Sequence, residues 1–156
     1  MARVELLVPT LQDVEHIAAN LRAPDVRELQ AMYGPGVDLL HCLLLSVAVS
    51  DDVYVAVSAA GEPVALTGVA PVSLLGGLAC PWLLGTEASV RYPRDIVAHG
   101  RRLVRKWERK YSHLFNYVDA RNGRSIAWLR HIGFTISEAQ PHGRAGLPFH
   151  RFERCT

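Results

Sequence analysis

The chain has 156 residues, 49% hydrophobic and 21% charged, with a formal net charge of +2. That length and apolar content suit one globular domain with a sizeable core, and they exclude a disordered, fibrous or disulfide-stapled chain. The charge is uneven: residues 1–78 carry three arginines against nine acidic side chains, a net of −6, and residues 79–156 carry fourteen basic against six acidic, a net of +8.

Taken in chain order, residues 3–8 read as a strand ended by Pro9. Thr10 is placed to cap a helix with Asp13 in its first turn and Val14, Ile17, Ala18 and Leu21 on one face. Pro24 opens a second helix over 24–33, where a first-turn proline loses no helical hydrogen bond, and Gly34-Pro35-Gly36 is a turn. From Asp38 to about Ser50 the chain is apolar nearly all round, which predicts a helix packed on both sides with His41 and Cys42 inside it. The apolar stretch Val37 to Val49 is too short to span a bilayer.

The period then changes. Val53, Val55 and Val57 alternate with Tyr54, Ala56 and Ser58, as in a strand. Val64 to Val72 returns after a turn at Gly61-Glu62-Pro63, and Leu78 to Thr86 makes the third strand of a meander, with Pro81 marking a bulge or edge position. The longest helix is predicted over Pro93 to Tyr111, with Ile96, Val97, Gly100, Leu103, Val104, Trp107 and Tyr111 on one stripe and His99 off it, on the surface. Leu114 to Val118 is a short strand. Asn122 caps a helix that stops at Gly133, Phe134 to Ser137 is a strand, and Pro148 to Phe152 a last one. The order β-α-α-α-β-β-β-α-β-α-β-β predicts a single α/β domain: an α+β mixed sheet built from an antiparallel meander and a crossover helix.

Three cysteines without CxxC spacing, Cys42, Cys80 and Cys155, point to a reducing compartment, and the first residues lack the layout of a secretory signal, so a cytoplasmic protein is expected. The histidines show no ligand spacing, so no metal site is expected, and no GxSxG, HExxH or P-loop motif occurs. The basic C-terminal half fits a phosphorylated cofactor, a nucleic acid, an acidic protein surface or simply a solvated helix face. Its arginine-rich helix has Trp107 as its one aromatic before Tyr111, on the buried stripe, which argues against nucleic acid.

The most specific segment is Asn122, Ser125, Trp128, Leu129, Gly133 and Phe134. It resembles the Asn-x-x-(Ala/Ser)-x-x-(apolar)-(Tyr/Leu)-x-x-x-Gly-Phe tail of the GNAT N-acetyltransferases. The element order is also that of the family, although the motif itself covers only about residues 114–134. Within the family, the strand around Pro81-Trp82-Leu83-Leu84-Gly85-Thr86 and the long basic helix look most like the small GNAT-like proteins of T7-type podophages, which implies a host-cytoplasmic or virion location.

The resemblance implies acetyl-CoA as cofactor and a primary amine, on a protein or a small molecule, as acceptor, with direct attack in a ternary complex. It places the pantetheine arm on the strand that includes Leu84, Gly85 and Thr86, the splayed partner at Leu114 to Val118, and the pyrophosphate over the start of the long helix. The family's glycine-rich phosphate loop is replaced by Glu87-Ala88-Ser89-Val90-Arg91-Tyr92-Pro93-Arg94-Asp95, which has no glycine. Arg91 and Arg94 can bind phosphate through their guanidinium groups or stand as ordinary surface arginines. Asn122 and Ser125 match cofactor-contacting positions, and capping alone also accounts for Asn122. Leu129 holds the position of the thiolate-protonating Tyr of many members, leaving Tyr117 or water as the acid. Glu87 is the candidate base, or a carboxylate favoured by its place near a helix start. The alternative implied by the altered loop and by Leu129 is a GNAT-fold protein without catalysis, acting as a binding or virion-associated factor.

Overall fold

In the computed structural model, which describes residues 3–156, the valine alternation becomes an antiparallel meander. β1 (Val4–Leu7), β2 (Asp52–Ser58), β3 (Pro63–Ser73) and β4 (Leu78–Gly85) lie side by side in that order. β5 (His113–Asp119) runs parallel to β4, and the last strand β7 (Leu147–Cys155) inserts between β5 and β6 (Thr135–His142), completing a seven-stranded mixed sheet. The observed element order is the expected one, with an added 3-10 turn at Glu87–Arg91.

The parallel pair is short. Only Leu78 with His113 and Ala79 with Leu114 are in register. In β4 the backbone groups of odd-numbered residues face β5: Thr86 sends its N–H to Val64 on β3, whereas the Gly85 N–H and C=O are bonded from the opposite side. The next odd residue after Ala79 is Pro81, which has no N–H to give to β5. Its C=O is taken by the Asn116 side chain at 3.0 Å, and beyond it the two strands separate. Pro81 therefore occupies an edge position inside the sheet, with no shift of its register against β3.

Helices cover both faces because successive strand residues point to opposite sides. Val55, Leu66 and Leu84 pack with Val14 and Ile17 of α1 (Leu11–Ala19) and Leu43 of α3 (Leu39–Val49). On the other face Leu114, Val118 and Phe152 meet Leu103, Val104 and Trp107 of α4 (Pro93–Glu108) and Ile126 and Leu129 of α5 (Gly123–His131). α1 starts with a complete capping box, Thr10 accepting from the Asp13 N–H and Asp13 from the Thr10 N–H. α2 (Ala23–Tyr33) lies with α1 and α3 between β1 and β2 in sequence, with Pro24 in its first turn.

Three expectations change. α3 is not packed on both sides: Leu43 alone is buried, while Leu45 and Val49 are each 54% exposed and His41 is exposed. Its outer side meets no further element among the described residues, and apolar content by itself does not say whether a second layer exists. His99 is not a surface residue; it is half-buried and its Nε2 lies 2.8 Å from the Val4 carbonyl oxygen. The helix expected to reach Tyr111 ends at Glu108, and Tyr111 is buried just past its end. The basic residues of α4 and just past its end are partly paired, Lys106 with Asp52 at 2.9 Å and Lys110 with Asp51 at 2.6 Å. No helix among the described residues is long and apolar enough to cross a membrane.

Gly100 of α4 packs against the end of α5, where an added Cβ would stand 3.0 Å from Trp128 Cζ2 and 3.2 Å from Ile132 Cγ2. Gly100→Val is expected to lower unfolding stability by about 1–3 kcal/mol through overpacking. Urea titration of both proteins measures it, and equal midpoints would show that the two helices have room to part.

Candidate active site

The separation of β4 and β5 opens the sheet to both faces. On one side a groove of about 200 Å³ runs between the 3-10 turn, the start of α4, and α5, lined by Ser89, Val90, Pro93, Val97, Arg124 and Ala127 among others. On the other a cleft of about 340 Å³ is walled by Glu28, Leu29, Met32 and Tyr33 of α2, Ser46 and Val49 of α3, and Asn116 and Tyr117 of β5. Both hollows include Leu83, Ser125 and Trp128. Reactants can thus meet at the split from opposite faces of the sheet.

A buried ion pair fixes the far end of the split. Asp25, 2% exposed, accepts from Arg22 Nη2 at 2.8 Å, from the Gly85 N–H at 2.9 Å and from Asn122 Nδ2 at 3.4 Å. The Gly85 C=O accepts from the Arg22 N–H, and the Arg22 guanidinium also reaches Ser125 Oγ at 3.2 Å. One carboxylate so ties the end of β4 to the starts of α2 and α5. A buried charge is tolerated when it is paired and its remaining lone pairs are filled, as here.

The same region holds Glu28, whose carboxylate accepts the Asp119 N–H at 2.6 Å. Burial pushes its pKa up from 4.5 to about 7; the Asp119 N–H opposes this, and the nearby Asp25 and Asp119 carboxylates add to it. Asp119 itself goes the other way: against its own burial, the Arg121 guanidinium, 2.6 Å away, and the Arg121 N–H hold it below the ordinary carboxylate range. In the cleft wall, burial pushes the Cys80 thiol up despite the nearby Arg151, so it is a poor thiolate nucleophile. Tyr117 stacks on His142 at 3.7 Å between centroids, and its hydroxyl oxygen accepts from Arg151 at 3.4 Å, which leaves its own proton free to donate.

The expected site residues do not gather in one place. Ser125, Tyr117 and Leu84 line the central hollows. Asn122 is 3% exposed and its side chain is spent on capping the Ser125 N–H and on Asp25. Of the β4 positions, Leu84 packs its side chain under α1 and α3 and Thr86 bonds β3, while Gly85 has both backbone groups taken by Arg22 and Asp25. Strand alternation instead turns the N–H and C=O of Leu83 into the split. Glu87 is exposed on the 3-10 turn and lines neither the groove nor the cleft. Sequence reasoning missed Glu28, whose position reads as an ordinary helix-surface glutamate until α2 is packed beside β5.

Arg91 and Arg94 come together with Arg3 around an open hollow of about 390 Å³, which shares Pro93 with the groove. No side chain caps the start of α4, and its N–H groups at Arg94 and Asp95 precede the first intrahelical bond, made by Ile96. An uncapped helix start beside arginines suits an anion, although the Asp95 carboxylate, which accepts the Arg3 N–H at 2.7 Å, lines the same hollow. Acetyl-CoA, the cofactor the resemblance implies, fits these residues on a further observation. The Trp128 side chain lines both groove and cleft, and its buried indole N–H has no partner among the described residues, an unmet donor beside the site. Apart from this site, folding brings ligating atoms of His113, Glu153 and Cys155 within 4.8 Å of one another, which no sequence spacing announces.

Asp25→Ala should cost about 3–5 kcal/mol, since it strands the Arg22 charge and the Gly85 N–H; chemical denaturation reads it, and a loss below 1 kcal/mol would show that the pair does not hold the split. Glu28 has the opposite sense. Its folded pKa lies above the unfolded one, so the native state binds more protons and Glu28 lowers stability as pH rises from about 4.5 to about 7. Glu28→Gln should therefore gain on the wild type by up to about 3 kcal/mol between pH 4 and pH 8. A pH-independent difference in urea midpoints would contradict this.

No protein-family model matches the chain, and no curated protein is similar enough in sequence to count as a relative. Solved structures do match, over nearly the whole length. The aminoglycoside acetyltransferase AAC(6')-Ib in complex with ribostamycin and coenzyme A aligns with a TM-score of 0.69 and 18% identity, covering 97% of this chain and 93% of that one. Spermidine N-acetyltransferase from Vibrio cholerae, in complex with CoA and spermine, gives 0.71 at 10% identity, covering 98% and 95%. A probable GNAT-family acetyltransferase from Chromobacterium violaceum gives 0.69 at 19%, covering 99% and 88%. At these identities the likeness is one of architecture: the chain has the GNAT acetyltransferase fold.

Proposed function

We propose that this chain is an acyltransferase that moves an acetyl group from acetyl-CoA to a primary amine by direct attack. The observation that carries the reading is the meeting of two hollows, one from each face of the sheet, at Leu83, Ser125 and Trp128. Acetyl-CoA supplies an acetyl group already activated as a thioester. On the groove side, Arg3, Arg91, Arg94 and the free N–H groups at the start of α4 hold its phosphates, and the Leu83 backbone groups facing the split offer pairing to an extended arm.

On the cleft side Glu28 serves as the base. A carboxylate near pKa 7 exists in both protonation states at neutral pH, which suits removal of a proton from an ammonium. The role the resemblance implied for Glu87 thus passes to a residue on the cleft wall. Tyr117, its oxygen held by Arg151, is the acid that returns a proton to the leaving sulfur. Leu129, buried at the α5 position, gives the site an apolar wall and no proton.

One observation favours a second reading, a GNAT-fold binding factor without catalysis: the Gly85 backbone groups, on the strand that would pair the cofactor arm, are occupied by Arg22 and Asp25. Thermal denaturation separates the two. At about a hundredfold excess over Kd, acetyl-CoA should raise Tm by about 5–10 °C. No shift at millimolar acetyl-CoA would sink the enzyme reading and leave the binding factor. Arg91→Ala with Arg94→Ala should weaken CoA binding about tenfold or more, with little change for pantetheine, which lacks the pyrophosphate. Equal losses for both ligands would place the phosphates elsewhere.

A further inference from the structure

We propose that the acceptor is a small primary monoamine with an apolar or aromatic body, its ammonium at Glu28 and its body against Leu29, Met32, Val49 and Trp82. This rests on the acyltransferase reading only in taking the α2–α3 cleft as the acceptor side. Among the residues lining that cleft, Glu28 is the single carboxylate, and no Lys, Arg or His joins it. The remaining wall is aliphatic, aromatic or neutral polar.

An ammonium moved out of water needs a counter-charge or an equivalent set of acceptors. One carboxylate serves one ammonium. The neighbouring acids are not available for a second: Asp25 is filled by Arg22, Gly85 and Asn122, and Asp119 by Arg121. Two arginines on cleft-lining residues discourage a second positive charge further. Arg144 bonds the Tyr33 carbonyl oxygen at 3.2 Å, and Arg151 sits on Tyr117. The cleft, about 340 Å³, is of a size that holds a small organic molecule. Polyamines and aminoglycosides, with several ammonium groups spaced along the molecule, would leave charges unpaired against apolar walls. A chain or ring bearing one terminal amine matches the wall and the single acid together.

The test is calorimetric titration of the full chain, with and without saturating CoA, using 2-phenylethylamine, 2-phenylethanol and spermidine. Phenylethylamine should bind at least about tenfold more tightly than spermidine, and Glu28→Gln should weaken the amine about tenfold while leaving the alcohol unchanged. Spermidine binding as tightly as phenylethylamine, or an amine affinity indifferent to Glu28→Gln, overturns the proposal. Should Glu28→Gln fail to fold, Val49→Glu adds a second carboxylate at an exposed cleft position. It should raise the affinity for 1,6-diaminohexane relative to hexylamine about tenfold, and an unchanged ratio counts against the single-acid rule. The two readings fail separately. Amine binding without any acetyl-CoA stabilisation removes the enzyme and keeps the amine cleft; acetyl-CoA stabilisation without monoamine binding removes the cleft assignment and keeps the enzyme.

Discussion

The carboxylate of Asp25 is the point on which the geometry of this molecule turns. It lies where the end of β4, the start of α2 and the start of α5 converge, and it accepts hydrogen bonds from all three regions through Gly85, Arg22 and Asn122. A buried ion pair of this kind contributes little net stability over an apolar replacement of the same shape. What it contributes is position, because a charge in a low-dielectric interior tolerates few arrangements that leave its partners unfilled. At the other end of the gap, Pro81 withholds the N–H that β5 would need, and Asn116 closes off its carbonyl. Between these two ends the strands part, and Leu83 is left facing the space.

The consequences spread to both faces of the sheet. Because β4 and β5 diverge, the α4–α5 side and the α2–α3 side communicate through one junction. The two sides have opposite electrostatic character. The groove leads to arginines and an uncapped helix start, which suits anionic phosphate. The cleft presents one carboxylate in an otherwise neutral wall, which suits a cation. The burial that makes Glu28 a poor contributor to stability also brings its pKa close to neutral pH, so the proposed base and the destabilisation have the same physical origin.

Much of the architecture was legible from periodicity. The strand alternation at Val53 to Ser58, the capping signals at Thr10 and Asn122, and the stop at Gly133 (φ +101°) all became the elements they announced. Pro81 was legible as an edge signal, though not as the cause of a split inside a sheet. α3 was the least legible element. Its apolar content is compatible with a buried helix and with one covered on a single side, since the pattern records what a side chain prefers and not how many layers surround it.

The sequence by itself determined the element order, the mixed α/β class, the short capped helix running into a strand and the absence of a glycine phosphate loop. Each of these depends on contacts a few residues apart, where spacing and side-chain chemistry act directly. Only the tertiary structure decided that β7 lies between β5 and β6, that Leu83 rather than its neighbours faces the gap, and that Glu28 stands on the cleft wall. Those outcomes join residues separated by tens of positions: Glu28 reaches Asp119, and Asp25 reaches Gly85 and Asn122. A glutamate's desolvation, and so its pKa and its chemistry, is set by whatever packs around it, and no local pattern carries that information.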